Sequence, residues 1–297
     1  MSAAADDRDD RPLAERLAVA AQHLLPKQLL TQFAGAVARR EDGPLTTAII
    51  RRFIRRYGVD MTEAANPDPA SYASFNDFFT RALKPGARPL APADLVCPVD
   101  GAISQFGRMG GQSIFQAFLR AKSHDYTATA LLGGDSALAA HFHGGHFATI
   151  YLSPKDYHRI HMPCAGRLLR MTHVPGDLFS VNPATARGVP GLFARNERVV
   201  CVFDGPHGVW VNVLVGATIV GSMATVWHGV VNPPRPGTLR DWRYDDQDIR
   251  LEQGAEMGRF LLGSTVVMLL PPGPLQFNPT WAPGGAVRLG QLMATRG

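Results

Sequence analysis

Beyond about residue 91 this chain offers only short apolar runs, rich in β-branched residues and parted by glycine and proline. Runs at 147–152, 199–203, 209–215, 218–220 and 265–270 suit strands bounded by turns. With 30 glycines and 23 prolines in 297 residues, turns must be frequent and long helices rare there. This patterning predicts a β-rich core of about 200 residues, a size that can bury a sizeable interior.

The first part of the chain has a different texture. Residues 1–11 carry a run of charge without apolar periodicity and read as a solvated tail. Leu13, Leu17, Ala21 and Leu24 then recur at helical spacing, and Leu29, Leu30, Phe33 and Val37 do so after Pro26. A sharper pattern follows, with Leu45, Ile49, Ile50, Phe53, Ile54 and Tyr57 on one side of a helix and Arg51, Arg52, Arg55 and Arg56 on the other. Turn clusters at 66–69 and 84–89 close this region. The expected fold class is α+β: N-terminal amphipathic helices over 12–90, then a mostly antiparallel core over 91–297.

A basic amphipathic helix can lie in a lipid interface, or it can pack on its own core with a solvated arginine face. A net charge of +5 and a pI near 9.4 lean toward anionic partners but leave nucleic acid, acidic lipid and small anions open. Cys97, Cys164 and Cys201 are odd in number, far apart and form no CxxC pair, which argues against a disulfide framework and for a reducing compartment. The N-terminus is acidic where a secretory signal would be basic and then apolar. No stretch reaches the roughly 18 apolar residues of a membrane span.

Three segments carry candidate chemistry. Asp100 stands at a strand end bounded by Pro98 and Gly101. His158 and His161 lie in YHRIHMP at 157–163, and Ser264 follows Gly263 just before the 265–270 run. Aspartate, histidine and serine form nucleophilic triads in several chain orders. Each residue also has a plain explanation, as a turn former, a satisfied histidine or a loop serine.

Taken with YASFNDFF at 72–79, VPGDLFSVN at 174–182, LFARNERVV at 192–200, VGATIVGS at 215–222 and EMGRFLLGS at 256–264, these segments closely resemble the bacterial phosphatidylserine decarboxylases. The resemblance implies a precursor that cuts itself between Gly263 and Ser264 into a large chain, 1–263, and a small chain, 264–297. It makes Ser264 the nucleophile, His161 its base and Asp100 the residue that orients the base. Ser264 would end as a pyruvoyl group, the covalent cofactor, which takes the substrate amine as a Schiff base and accepts electrons as carbon dioxide leaves. His158 is the candidate proton donor, since histidine's ordinary pKa near 6.5 suits that task. For both histidines to share one site, the backbone from 157 to 163 should be turn-like.

The resemblance further implies phosphatidylserine in an anionic membrane as partner, no nucleic acid and no metal. It also implies a homodimer of cleaved protomers lying peripherally on the cytoplasmic face of the cell membrane, with 12–90 as the docking region. Three rivals remain. A serine hydrolase would use the triad without self-cleavage. A metal enzyme would draw on His141, His143, His146, His158 and His161, with His141 and His143 sharing one face of a strand. A membrane-binding module without activity would leave the three segments unexplained.

Overall fold

A computed structural model of the chain describes residues 19–20, 22, 26–119, 122–218, 222–232, 235, 237–261 and 264–297. The expected tail at 1–11, most of the 13–24 pattern and Gly263 lie outside the described residues.

Four of the apolar runs are strands whose bounds differ from the expectation by at most two residues: His146–Leu152, Arg198–Gly205, Gly208–Val215 and Ser264–Leu270. Of 218–220 only Thr218 is described, and it lies in a turn. Ser264–Leu270 sits inside a nine-stranded sheet, paired with Gly208–Val215 on one side and His146–Leu152 on the other. The sheet continues through Arg198–Gly205, Gly166–Val174 and Arg240–Arg243 in one direction, and through Gly101–Arg108 and Ala286–Val287 in the other. The ladders between the described strands are antiparallel.

An antiparallel strand with one wet face alternates apolar and polar residues. Ser264–Leu270 does not alternate, because all seven of its residues are buried. Val266, Met268 and Leu270 enter one apolar cluster, and Val267 and Leu269 enter another on the opposite face of the sheet. A smaller sheet joins Gly229–Val230, Met223–Thr225, Glu256–Phe260 and Arg159–His161 in that order. Its Met223, Met257, Phe260 and Ile160 pack into the same cluster as Val266 and Met268.

Residues beyond 264 are woven through the core. Ala286–Val287 pairs with Gly101–Arg108, and Leu292–Thr295 lies between Leu95–Val96 and Gln276–Phe277. A break in the backbone ahead of 264 would leave this segment held by ladders on both sides of its first strand.

The helical region contains Lys27–Ala38, Pro44–Tyr57 and the short Phe75–Phe79. Pro44 opens the second helix at a position where its missing N–H costs nothing, and Arg55 and Arg56 in the last turn suit the negative end of the helix dipole. The apolar face foreseen for this helix is divided. Ile50, Phe53 and Ile54 pack with Tyr72, Phe75, Phe78 and Phe79, whereas Leu45, Ile49 and Tyr57 remain exposed. No helix among the described residues is long and apolar enough to cross a membrane.

Candidate active site

Asp100 immediately precedes the Gly101–Arg108 strand. A Cβ on Gly101 would collide with the Tyr151 carbonyl oxygen, so glycine is what lets these two strands close. The Asp100 carboxylate is buried and gripped by Arg88, from Nε at 3.0 Å and from Nη2 at 2.5 Å. It also accepts a hydrogen bond from the Leu289 N–H at 2.8 Å. Arg88 reaches Glu63 at 2.7 Å, and Glu63 binds Arg288 at 2.7 Å. Burial opposes the Arg88 charge, but its hydrogen bonds to Asp100 and Glu63 prevail and hold its pKa above the ordinary value. Asp100 thus ties the segment before 264 to the segment after it.

The backbone through both histidines is extended, not turn-like. Arg159–His161 pairs with Glu256–Phe260, and the ladder runs on through a 3.0 Å bond from the Phe260 N–H to the His158 carbonyl. Side chains alternate along such a strand. His158 therefore shares a face with Ile160 and Met162, while His161 shares the other with Tyr157 and Arg159. The ladder with 256–260 is what overrides the turn expected from sequence.

His161 Nδ1 lies 2.7 Å from the Gly254 carbonyl oxygen, and its Nε2 lies 3.1 Å from the Tyr157 hydroxyl. A carbonyl can only accept, so Nδ1 carries the proton and Nε2 the lone pair, to which Tyr157 donates. Gly254 has a positive φ of 79°, and its backbone aims the carbonyl at the ring. Burial lowers the His161 pKa against the opposing pull of that bond, and it raises Tyr157 to about 12. Among the described residues, no hydrogen bond joins Asp100, His161 and Ser264 to one another. The Asp100 charge does reach His161, whose N–H bonds the Pro98 carbonyl at 2.9 Å.

His158 is fully buried, with its ring centroid 4.0 Å from that of Phe79. Its Nδ1–H donates to the Asp156 carbonyl at 2.8 Å, and its Nε2 has no partner. Burial and the nearby Arg81 charge push its pKa to about 3, well below the ordinary value on which the donor role was argued. It rests here as a neutral ring with an unused lone pair. Ser264 heads its strand on the face that carries Val266 and Met268, and its buried Oγ also lacks a partner. Ile160 and Met162, on the His158 face, enter that same cluster. Each unpartnered buried polar atom calls for an explanation, and these two, among several in the described residues, belong to side chains whose strand faces adjoin one apolar cluster.

A family model described as phosphatidylserine decarboxylase matches residues 75–295, and a second, described as PSD, matches 17–58. The chain belongs to the phosphatidylserine decarboxylase family. Among its relatives is the phosphatidylserine decarboxylase proenzyme of Azoarcus sp. (strain BH72), 72% identical over 281 residues, covering 95% of this chain and 96% of that one. The proenzyme of Verminephrobacter eiseniae is 71% identical over 285 residues, 95% of this chain and 98% of its own. That of Delftia acidovorans is 71% identical over 285 residues, 96% and 99% respectively.

Sequence reading passed over several residues that shape this family member's site. Arg88 was visible only as part of a turn cluster, and Phe79 and Tyr157 only inside longer motifs. The Gly254 carbonyl has no side-chain signal at all. Among the described residues no group of three or more His, Cys, Asp or Glu could hold a metal ion. His141-Phe142-His143 lies in a turn between Ser136–Ala140 and His146–Leu152, so the strand supposed to align its rings is not there.

Proposed function

We propose that this chain is the precursor of a phosphatidylserine decarboxylase that cuts itself at Gly263–Ser264 and works at an anionic membrane surface. Ser264 carries the reading. A serine that only shaped a loop would be wet or hydrogen-bonded, whereas this hydroxyl is buried, unpartnered and at the head of a central strand, in a chain whose relatives bear the name proenzyme.

In the proposed maturation, Ser264 Oγ attacks the Gly263 carbonyl carbon. His161 Nε2 takes the hydroxyl proton and passes it to the departing Ser264 nitrogen, so an ester replaces the peptide bond. The Gly254 carbonyl holds the ring in the tautomer this requires. His161 lies on the face of its strand away from the cluster toward which Ser264 is turned, so the transfer requires Tyr157 to yield Nε2 and the 157–163 segment to shift toward the serine. Asp100, close enough for its charge to reach the ring, favours the imidazolium as it forms. Loss of the Ser264 α-proton then expels Gly263 as a carboxylate. Water replaces the nitrogen of the resulting dehydroalanine, and ammonia leaves.

The two unpartnered atoms suit a pyruvoyl group at 264, whose carbonyl oxygens would lie on the strand face that meets the same apolar cluster as the His158 face. That group would hold the substrate amine and accept the electron pair freed with carbon dioxide. His158 Nε2 takes a proton from the entering ammonium and returns it to the carbon that carbon dioxide has left. The low pKa of the ring opposes the first transfer, which must be drawn forward by the reaction of the freed amine. The second is made easier because a charged ring is poorly tolerated among apolar neighbours.

The lipid would be met through the helices of the 12–90 docking region, on the cytoplasmic face of the membrane and in a homodimer of cleaved protomers. Supporting this, Leu29, Leu30, Phe33, Leu45, Ile49 and Tyr57 make up six of the ten exposed large apolar side chains among the described residues, with exposed Arg51, Arg52, Arg55 and Arg56 beside them. Intact mass spectrometry should find two chains, the smaller beginning at 264 without an α-amine. It should sediment with anionic vesicles, and less so after Phe33→Ser. A fully active single chain of 32.1 kDa would sink the mechanism, and indifference to vesicles would sink the docking.

A further inference from the structure

Arg81 follows the Phe75–Phe79 helix and is only 5% exposed. A guanidinium taken out of water normally ends on carboxylates or a full set of carbonyls. Three other enclosed arginines among the described residues obey that rule, although Arg240 and Arg296, which are less buried than Arg81, also keep a buried Nε without a partner. Arg88 holds Asp100 and Glu63. Arg159 holds Glu256 and the Thr80 carbonyl. Arg198 donates to the carbonyls of Leu131, Asn196 and Ala130 at 2.6–2.8 Å. Arg81 differs from all three. Among the described residues its one side-chain hydrogen bond runs from Nη2 to the Lys155 carbonyl at 3.3 Å, and its buried Nε has none. The Phe78 ring, 5.4 Å away, is its other neighbour of note. Among the described residues it forms no ion pair.

Its position bears on what this guanidinium could bind. Lys155 and Asp156 lead directly into His158, and the Arg81 charge is felt by the His158 ring. Asp156 forms no ion pair with Arg81: its Oδ2 accepts from the Ser153 N–H and hydroxyl, each at 2.7 Å, and only its charge reaches the guanidinium. Asp100 is taken by Arg88.

We propose that Arg81 binds the phosphodiester of the lipid headgroup while His158 serves the neighbouring serine carbon, an inference that rests on the decarboxylase reading above. Phosphatidylserine brings two anions, and the chemistry chooses between them. The carboxylate loses its charge as carbon dioxide departs. A guanidinium upon it would stabilise the bound substrate more than the transition state and slow the reaction. The phosphodiester keeps its charge throughout and lies only two atoms from the reacting carbon. Binding it with the fork of a guanidinium favours substrate and transition state alike.

The test uses wild type, Arg81→Met and Arg81→Lys, each scored first for self-cleavage, which needs no lipid. All three should cleave. The Kd for sn-glycero-3-phosphoethanolamine, which has the phosphodiester and amine but no carboxylate, should rise about 10- to 100-fold in Arg81→Met, the value of a charge-assisted bond. KM for phosphatidylserine should rise with it while kcat moves little, and Arg81→Lys should fall between. The melting temperature of Arg81→Met should hold or rise, because a buried cation without an ion pair has gone. Equal Kd values in wild type and Arg81→Met, a loss confined to kcat, or failure of both variants to cleave would each overturn the assignment. So would inorganic phosphate competing as well as the diester, which would make this a free-anion site. A wild type that neither cleaves nor decarboxylates would instead overturn the reading beneath it.

Discussion

The two faces of the segment from Tyr157 to Met162 live in different chemistry. On one, His161 is hydrogen-bonded at both ring nitrogens, and Arg159 is paired with Glu256. On the other, His158 is enclosed by apolar neighbours with one nitrogen unused, facing the cluster that also receives the Ser264 side of its strand. Two histidines three residues apart thus sit in different surroundings, which supports the different tasks proposed for them. The polar face can hold a base in a fixed tautomer, which suits making a cofactor. The apolar face can keep a proton on a carbon-bound errand away from water, which suits using one.

The largest effect expected separates the nucleophile from both faces. Ser264→Ala removes the attacking oxygen and should give no small chain and no decarboxylation. His161→Ala should accumulate precursor with the fold intact, since general base catalysis contributes about 10²–10⁴-fold. Denaturing gels over time and thermal melting read both. Maturation of His161→Ala at the wild-type rate would erase the distinction between the faces by removing His161 from the chemistry.

Next in size is His158→Gln, which should still cleave but turn over phosphatidylserine about 10²–10⁴-fold more slowly. Normal turnover would reduce His158 to a packing residue against Phe79, and blocked cleavage would move it to the polar face's task.

The contrast between the histidines also marks how far sequence reading reaches. Four central strands were legible because strands buried on both faces read as unbroken apolar runs, as in 265–270. Gly101–Arg108 and Gly166–Val174, only partly buried, gave no such run. The helix at 44–57 was legible from its period. Ser264, His158, His161 and Asp100 could be named from their motifs. Their partners could not be. Leu289 reaches Asp100 across 189 positions and Gly254 reaches His161 across 93, and each does so through a backbone atom. The turn expected at 157–163 failed for a similar reason, because its extended form is imposed by pairing with a strand about 100 residues away.

A third prediction turns on pH. A histidine whose folded pKa lies below its unfolded value near 6.5 is neutral in the fold and charged in the unfolded chain once pH drops. Its contribution to stability is complete above 6.5 and is lost as pH falls from there toward about 3. For His158 this should remove about 2 kcal/mol between pH 7 and pH 5. Urea unfolding of wild type and His158→Gln at both pH values isolates it, because the other titrating groups are shared. Parallel losses in the two proteins would show that His158 is not held neutral and would bring the faces closer together.

The smallest effect expected is the most specific to the polar face. Burial keeps Tyr157 protonated to about pH 12, so at working pH its hydroxyl is a donor that occupies the lone pair on His161 Nε2. In the proposed maturation that lone pair is the one Ser264 needs. Tyr157→Phe keeps a ring beside His161 and removes only the competing bond, which has a net value of about 1 kcal/mol. Maturation should then quicken about fivefold, read as the rate at which the small chain appears from newly made precursor, with turnover by the finished enzyme little changed. Slower maturation would reverse the argument. The hydroxyl would then be a relay that carries the serine proton to His161, and the hydrogen bond at 3.1 Å would be part of the path in place of a restraint upon it.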